Sequence, residues 1–332
     1  MKIARASLLV PHLLLLSGCT GDPQSALNAE GPSAVELRGL IFLFVAVCGV
    51  VFLLVMAVMV WALVRRTNHA PCRPQTERSM GRTVGAAIVA TFIVITLLTV
   101  ASFYTTRSID WREADTATIL VRGQQWWWQF TYLDADPAKT FLTANELHIP
   151  VGTDIRLRLE ATDVIHSFWV PNLTGKQDLV PGRENELTLH ASKPGIYRGQ
   201  CAEFCGLQHS HMALLVIAEE PEDYDRWLEA QRSAAYEPTG SDAVAGKLVF
   251  INKPCAACHT IRGTGASGTS GPDLTHVGSR SMIGAGLLEN TRGSVAAWIA
   301  DPQTLKPGNN MPLVPLTGEE LRQLSAYMSE LR

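Results

Sequence analysis

Two short stretches of this chain concentrate residues that bind metals. The first is Cys255-Ala256-Ala257-Cys258-His259. Two cysteines separated by two residues and followed at once by histidine form the C-x-x-C-H pattern of covalent haem c attachment. The thiols add to the haem vinyl groups, and the histidine is placed to give the iron an imidazole from one face. A sixth ligand must come from elsewhere, and a methionine thioether suits electron transfer because it raises the potential. Met282, Met311 and Met328 lie in this region. Met328 shares a helical face with Leu324 and Leu331 and reads as core. Met311 sits in Pro307-Gly308-Asn309-Asn310-Met311-Pro312, a loop framed by prolines. A redox dithiol would need a thioredoxin-type strand–helix context, which is missing here. A zinc site would need two more ligands, where His276 is the only other nearby imidazole.

The second stretch is Cys201-Ala202-Glu203-Phe204-Cys205-Gly206-Leu207-Gln208-His209-Ser210-His211-Met212. Two thiols, imidazole and a thioether are soft donors that favour copper. A single blue copper needs only one cysteine. If both thiolates bridge two copper ions, one electron is shared by the pair and each bond changes little on redox cycling, which suits a relay. Two coppers need a second imidazole, and His166 in Asp163-Val164-Ile165-His166-Ser167-Phe168-Trp169 is the candidate. Disulfides are the rival use for cysteines in an exported protein. Of the seven cysteines, Cys19 is accounted for below, Cys48 lies in an apolar run and Cys72 in a basic loop. The remaining two close pairs are each surrounded by other ligand types.

These segments must be positioned by the rest of a chain of 332 residues. The N-terminus reads as an export signal over residues 1–18: Lys2 and Arg5, then a short apolar core from Leu8 to Leu16. Leu16-Ser17-Gly18-Cys19 resembles a bacterial lipobox, which implies lipidation of Cys19. Residues 39–64 and 84–104 are uncharged and long enough to cross a bilayer, so residues 35–105 are expected to form a two-helix transmembrane hairpin. Between them Arg65, Arg66, Arg73, Arg78 and Arg82 face one acid, Glu77. The positive-inside rule puts that loop in the cytoplasm and both soluble ends on the outer, periplasmic side of the inner membrane.

Residues 115–220 break into short apolar runs separated by turn signals such as Asp136-Pro137, Val151-Gly152, Pro181-Gly182 and Pro194-Gly195. The alternation in Asp154-Ile155-Arg156-Leu157-Arg158-Leu159 predicts a half-buried strand. The expected fold is an all-β sandwich or barrel. Residues 221–232 predict an amphipathic helix, and 233–241, with Pro238 and Gly240, a flexible linker. Helices are expected over 242–252 and 317–331 within an all-α domain at 242–332, with Thr317 as N-cap and Glu319 and Glu320 in the first turn. His148 and His190 lie in predicted strands and read as ordinary histidines; His211 reads as a loop residue. The net charge of −3 supplies no basic excess for nucleic acid.

The C-x-x-C-H segment, the Met311 loop and Gly271-Pro272-Asp273-Leu274 resemble class I cytochromes c. The His166 segment, the Cys201 loop, Gln125-Trp126-Trp127-Trp128, Pro181-Gly182-Arg183 and the two apolar runs resemble cytochrome c oxidase subunit II over about residues 35–230, which implies a cupredoxin-like domain holding the binuclear CuA centre. That resemblance implies bridging thiolates at Cys201 and Cys205. It puts His166 and Met212 on one copper, and His209 with the Glu203 carbonyl on the other. The Glu203 side chain is implied to reach a magnesium ion shared with the catalytic subunit, and Trp126 to lie on the electron path. His259 and Met311 are implied axial ligands of a haem c held by Cys255 and Cys258. Such a subunit passes electrons from an external donor, a cytochrome c or a quinol–cytochrome c reductase, through haem c and CuA to subunit I. Oxygen is reduced there, among further membrane subunits, in a proton-translocating class of enzyme. The chain departs from the family where the second apolar run begins: 81–87 lack the Glu-Trp-Pro linked to proton uptake, and Glu77 lies earlier.

Three other readings fit less well. A copper-delivery protein needs no haem c. A nitrous oxide reductase relative needs more than the nine histidines present. Quinol oxidase subunits lose the copper ligands.

Overall fold

The computed structural model describes residues 24–65, 74–110 and 118–332. The export signal, Cys19, Cys72 and most of the arginine-rich loop lie outside the described residues. The β-rich and helical regions pack as one compact unit, and Val35–Arg112 form another.

Within the second unit the chain forms two long helices, α1 (Pro32–Val64) and α2 (Pro74–Asp110). Both extend beyond the apolar runs that predict them, because helix propagation needs no apolar residue once nucleated. Each is long and apolar enough to cross a membrane, and their central windows bury nothing inside the protein. Large apolar side chains such as Phe52, Leu53, Phe92 and Leu97 are exposed. A surface apolar all round belongs in hydrocarbon rather than water.

The β region folds as two five-stranded sheets. One orders β3-β2-β1-β5-β8 and the other β4-β10-β9-β6-β7. The strands are β1 (Thr118–Gln124), β2 (Trp127–Tyr132), β3 (Phe141–Ala144), β4 (Glu146–Pro150), β5 (Ile155–Ala161), β6 (His166–Trp169), β7 (Gln177–Leu179), β8 (Asn185–Leu189), β9 (Gly195–Cys201) and β10 (Ala213–Glu219). β1 with β5, and β4 with β10, pair in parallel; the other pairs are antiparallel. Strict burial alternation in β1 and β2 gives each one core face. Trp128, Phe130, Leu157, Leu159, Phe168 and Val216 fill the space between the sheets; of these, Leu157 and Leu159 are apolar positions of the alternation read at 154–159. The chain crosses from one sheet to the other at Asn145, which has φ +63°. Its side-chain oxygen accepts from the Trp128 amide at 2.9 Å, holding the crossover. Asparagine tolerates this left-handed conformation better than most residues.

Helix α3 (Pro221–Arg232) follows, with the bounds the sequence predicts. Residues 233–241 are not the free linker expected. The Ala235 amide donates to Arg262 O at 3.0 Å and the Thr239 amide to Glu330 Oε2 at 3.0 Å. Arg262 donates back to the carbonyls of Gln231 and Arg232. Backbone polar groups beside a folded surface find partners there, and small polar residues do not prevent it.

The helical region consists of α4 (Ser241–Asn252), the single turn α5 (Cys255–Cys258), a two-strand ribbon β11 (Met282–Ile283) with β12 (Leu288–Glu289), then α6 (Arg292–Ala300), α7 (Pro302–Leu305) and α8 (Gly318–Glu330). α4 crosses α8 at Gly246, where a Cβ would lie 2.1 Å from Gln323 O, so only glycine admits this approach. Phe250, Leu324, Tyr327 and Met328 form the core beneath. Thr317 and Glu320 form a capping box at the start of α8.

Candidate metal centre and haem-attachment segment

Cys201 ends β9, and the next eleven residues form a loop that returns as β10. This hairpin loop holds most of the soft donors. β6 pairs with β9 so that Phe168 lies opposite Cys201, and the Ala202 amide donates to Ser167 O at 2.9 Å. That register brings His166, thirty-five residues earlier, to the thiols. Its Nδ1 lies 3.9 Å from Cys201 Sγ. The two sulfurs are 3.8 Å apart. His209 Nδ1 is 3.6 Å and Met212 Sδ 3.9 Å from Cys205 Sγ, and the Glu203 carbonyl is 3.2 Å from Cys201 Sγ. His166, Cys201, Cys205 and Met212 are buried.

Several groups hold this cluster in place. His166 Nε2 pairs with Asp163 Oδ1 at 2.8 Å, which leaves Nδ1 facing the sulfurs. A carboxylate behind an imidazole is the usual way to orient a metal-binding histidine. Gly123 admits the imidazole, since a Cβ there would sit 3.0 Å from its ring. Trp126 Nε1 and Gln125 Nε2 both donate to Cys205 O, at 3.0 and 2.7 Å. Trp128 Nε1 donates to Met212 O at 3.4 Å. The three adjacent tryptophans therefore split: Trp126 and Trp128 are buried and support the loop, while Trp127 is half-buried.

The thiols titrate as a pair. Cys201 is held down, to about 3, chiefly by the neighbouring Cys205 and then by His166. Cys205 is pushed up because the Cys201 thiolate lies beside it. Losing the second proton beside the first charge requires a cation. The set offers thiolate, imidazole and thioether in a largely buried pocket, the donors that soft copper prefers. The Glu203 carboxylate points away, half-exposed, 3.2 Å from Lys176 Nζ. His211 stays at the rim, its Nδ1 paired with Gln208 Oε1. His148 stacks on Trp227 with centroids 4.0 Å apart and pairs with Glu219, and His190 pairs with Asp154.

Cys255 and Cys258 lie on the one-turn helix α5, both free and half-buried. His259 follows, its Nδ1 2.8 Å from Pro272 O. That bond commits Nδ1–H to the carbonyl and leaves Nε2 with a lone pair for a metal. Burial first lowers the His259 pKa, favouring the neutral ring that ligates. At Gly271 a Cβ would stand 2.5 Å from the His259 ring, which explains glycine beside Pro272. These features fit an iron held on Nε2. Met328 is buried in the helical core and Met282 lies in β11, half-buried. Met311 sits in the loop after α7, where Gln303 Nε2 donates to its carbonyl at 2.9 Å.

Sequence reasoning passed over Lys306, Gln125, Gln208 and Asp163. Asp163, three residues before His166, is the one with a local signal. Lys306 is only 2% exposed. Burial pulls its pKa down to about 7.

Residues 136–219 match the cytochrome c oxidase subunit II periplasmic-domain family, and residues 243–332 the cytochrome c family. The chain is 36% identical over 330 residues to cytochrome c oxidase subunit 2 of Alkalihalophilus pseudofirmus, covering 96% of this chain and 94% of that one. It is 28% identical over 349 residues to the subunit 2 of Bacillus subtilis, covering 98% and 96%. Among solved structures, the periplasmic domain of subunit II of cytochrome oxidase from Bradyrhizobium japonicum superposes with TM-score 0.34 and 32% identity, over 36% of this chain and 96% of that one. The chain belongs to the cytochrome c oxidase subunit 2 family, as an oxidoreductase subunit that joins a subunit II periplasmic domain to a cytochrome c domain.

Proposed function

We propose that the chain receives single electrons on a haem c held by Cys255 and Cys258 and delivers them through a binuclear CuA centre to the catalytic subunit, where oxygen is reduced to water. The observation that carries this is the cluster of two sulfurs, two imidazole nitrogens, a thioether and a carbonyl, neighbour to neighbour within 3.2–3.9 Å. Cys201 and Cys205 would bridge the two ions, His166 and Met212 would serve one, and His209 with the Glu203 carbonyl the other. Bound there, the copper pair would supply a one-electron relay with little change in geometry. The protein's part is to keep that geometry: Asp163 orients His166, and Trp126 with Gln125 pins the Cys205 carbonyl. His259 Nε2 and the Met311 thioether would be the axial donors of the haem. The Glu203 carboxylate, half-exposed, is the oxygen donor offered to a magnesium ion shared with subunit I. The two apolar helices would anchor the subunit in the bacterial inner membrane with the soluble part on the periplasmic side, and Cys19 would carry lipid. The external donor would be a cytochrome c or a quinol–cytochrome c reductase.

The test is metal analysis with electron paramagnetic resonance on the full-length protein in detergent. Two coppers per haem, with hyperfine lines from one electron shared equally by two nuclei, are expected. One copper or none, with haem attached, would instead make the Cys201 loop a disulfide or a transient copper carrier.

A further inference from the structure

Trp126 is only 8% exposed, so a diffusing donor has little access to it. Part of its cover comes from the helical region of the same chain. Gly308, at φ +82°, lies so close that a Cβ there would be 3.4 Å from the Trp126 ring and 3.4 Å from Leu207. Gln208 Nε2 donates to Pro307 O at 2.9 Å. Both Pro307 and Gly308 belong to the loop that carries Met311. The contacts therefore join that loop to the copper loop and to the indole whose Nε1 donates to Cys205 O.

Lys306, immediately before this loop, has a site built for it. Its Nζ donates to Trp126 O at 2.8 Å, His211 O at 2.7 Å and Gly284 O at 2.9 Å. In its protonated form, which three carbonyl acceptors favour over the neutral amine, Lys306 has three donors, one for each carbonyl here. Two of the three carbonyls belong to the β region and one to the helical region. Lysine is almost never fully buried unless it is paired, and this pairing is complete only while the two regions are docked. Apart, the ammonium and the carbonyls of Trp126 and His211 would return to water. Three donors into three fixed carbonyls set a register as well as an attraction, which a greasy contact does not. Two further anchors lie along the same boundary. The Ala213 amide donates to Ala285 O at 3.0 Å, and buried Glu146 Oε1 accepts from the amides of Ser281 and Met282 at 2.6 and 3.1 Å.

We infer that Lys306 is a positioning residue for electron transfer: it latches the Met311 loop onto Trp126, so that electrons from the chain's own haem reach Cys205 through a docked contact rather than through a tethered encounter. The inference rests on the haem c and CuA assignment above. In each transfer one electron is lost on the haem side and one is gained on the copper side; no bond is broken and no proton moves. Trp126 is then reserved for the internal donor, and an external donor must deliver to the helical region instead.

The test uses the full-length protein loaded with haem and copper, in detergent. The haem is photoreduced and the arrival of the electron at copper is followed, with glycerol added to vary viscosity. In the wild type the rate should not depend on viscosity. In Lys306→Met it should fall and become viscosity-dependent while both spectra keep their form; Lys306 lies within charge range of Cys205, so the two potentials are measured as well and the rates compared at equal driving force. Amide hydrogen exchange is the second readout and needs neither cofactor: Ala213, Ser281 and Met282 should lose protection in the variant. An unchanged transfer rate in Lys306→Met, whatever the exchange, overturns the proposal. If the variant does not accumulate, a viscosity-dependent rate in the wild type overturns it and an independent rate supports it. If the wild type lacks either spectrum, the cofactor assignment fails instead, and the exchange at Ala213 still decides whether Lys306 is a latch.

Discussion

The indole of Trp126 donates to the backbone carbonyl of Cys205 at 3.0 Å. One end of Trp126 therefore supports a proposed copper ligand, while its own carbonyl accepts from Lys306 of the helical region. A residue tied to both regions, by its indole to one and by its backbone carbonyl to the other, connects the geometry of the copper loop to the docking of the cytochrome c domain. The consequences can be measured one residue at a time.

Cys205→Ser should abolish the two-copper signal completely while leaving haem attached, because a serine hydroxyl is a hard donor and cannot bridge soft ions. Metal analysis and paramagnetic resonance read both results from one sample. Persistence of a shared-electron signal in this variant would refute Cys205 as a bridge.

Met212→Leu should keep copper bound, because thiolates and imidazoles remain, yet slow the onward passage of electrons. The Met212 Sδ stands 3.9 Å from Cys205 Sγ and Met212 itself is fully buried, and leucine fills a similar volume. Unaltered transfer kinetics would count against Met212 as a ligand.

Asp163→Ala should weaken copper affinity by about 10–100-fold, the usual effect of removing a group that orients a ligating histidine. The carboxylate holds His166 Nε2 at 2.8 Å and also accepts from the Gln125 amide at 2.7 Å. Titration against a competing chelator gives the affinity directly; equal affinities would mean His166 needs no such support.

Gly271→Ala should displace the His259 imidazole, since the new Cβ would lie 2.5 Å from its ring and flanks the Pro272 carbonyl that holds Nδ1. Covalent attachment through Cys255 and Cys258 should survive. A changed visible spectrum with full haem content is the expected result, and a native spectrum would show that His259 can move without loss.

Acid should loosen the packing of α4 on α8. Arg322, and then Arg292, hold the Asp242 carboxyl below its ordinary value; the Thr317 amide and Lys253 do the same for Glu320. A carboxylate whose folded pKa is depressed contributes stability above its unfolded value, and that contribution fades as pH falls through the folded one. The loss should begin below about pH 4.5 and be small, because both groups are only half-buried and screened by salt. Unfolding followed across this range should show a shallower slope in the Asp242→Asn, Glu320→Gln double variant. Identical slopes would place the acid sensitivity elsewhere.

What the sequence by itself determined is whatever depends on neighbours along the chain. The C-x-x-C-H run, the soft donors between Cys201 and Met212, the uncharged runs, the alternating strand at β5 and the Thr317 cap are local patterns, and each appears in the structure where its spacing puts it. Even the union of His166 with the cysteines was legible, through a resemblance rather than through spacing. The tertiary structure alone decided the rest. Strand register between β6 and β9 brings His166 to Cys201, and no local signal encodes a register between strands thirty residues apart. The expected free linker at 233–241 is bound to the helical region, because backbone groups pair with whatever surface they meet. Lys306 reads in sequence as one more surface charge. Its three carbonyl partners come from residues 180, 95 and 22 positions away, and the first two, from the β region, exist only once two folded regions have found each other.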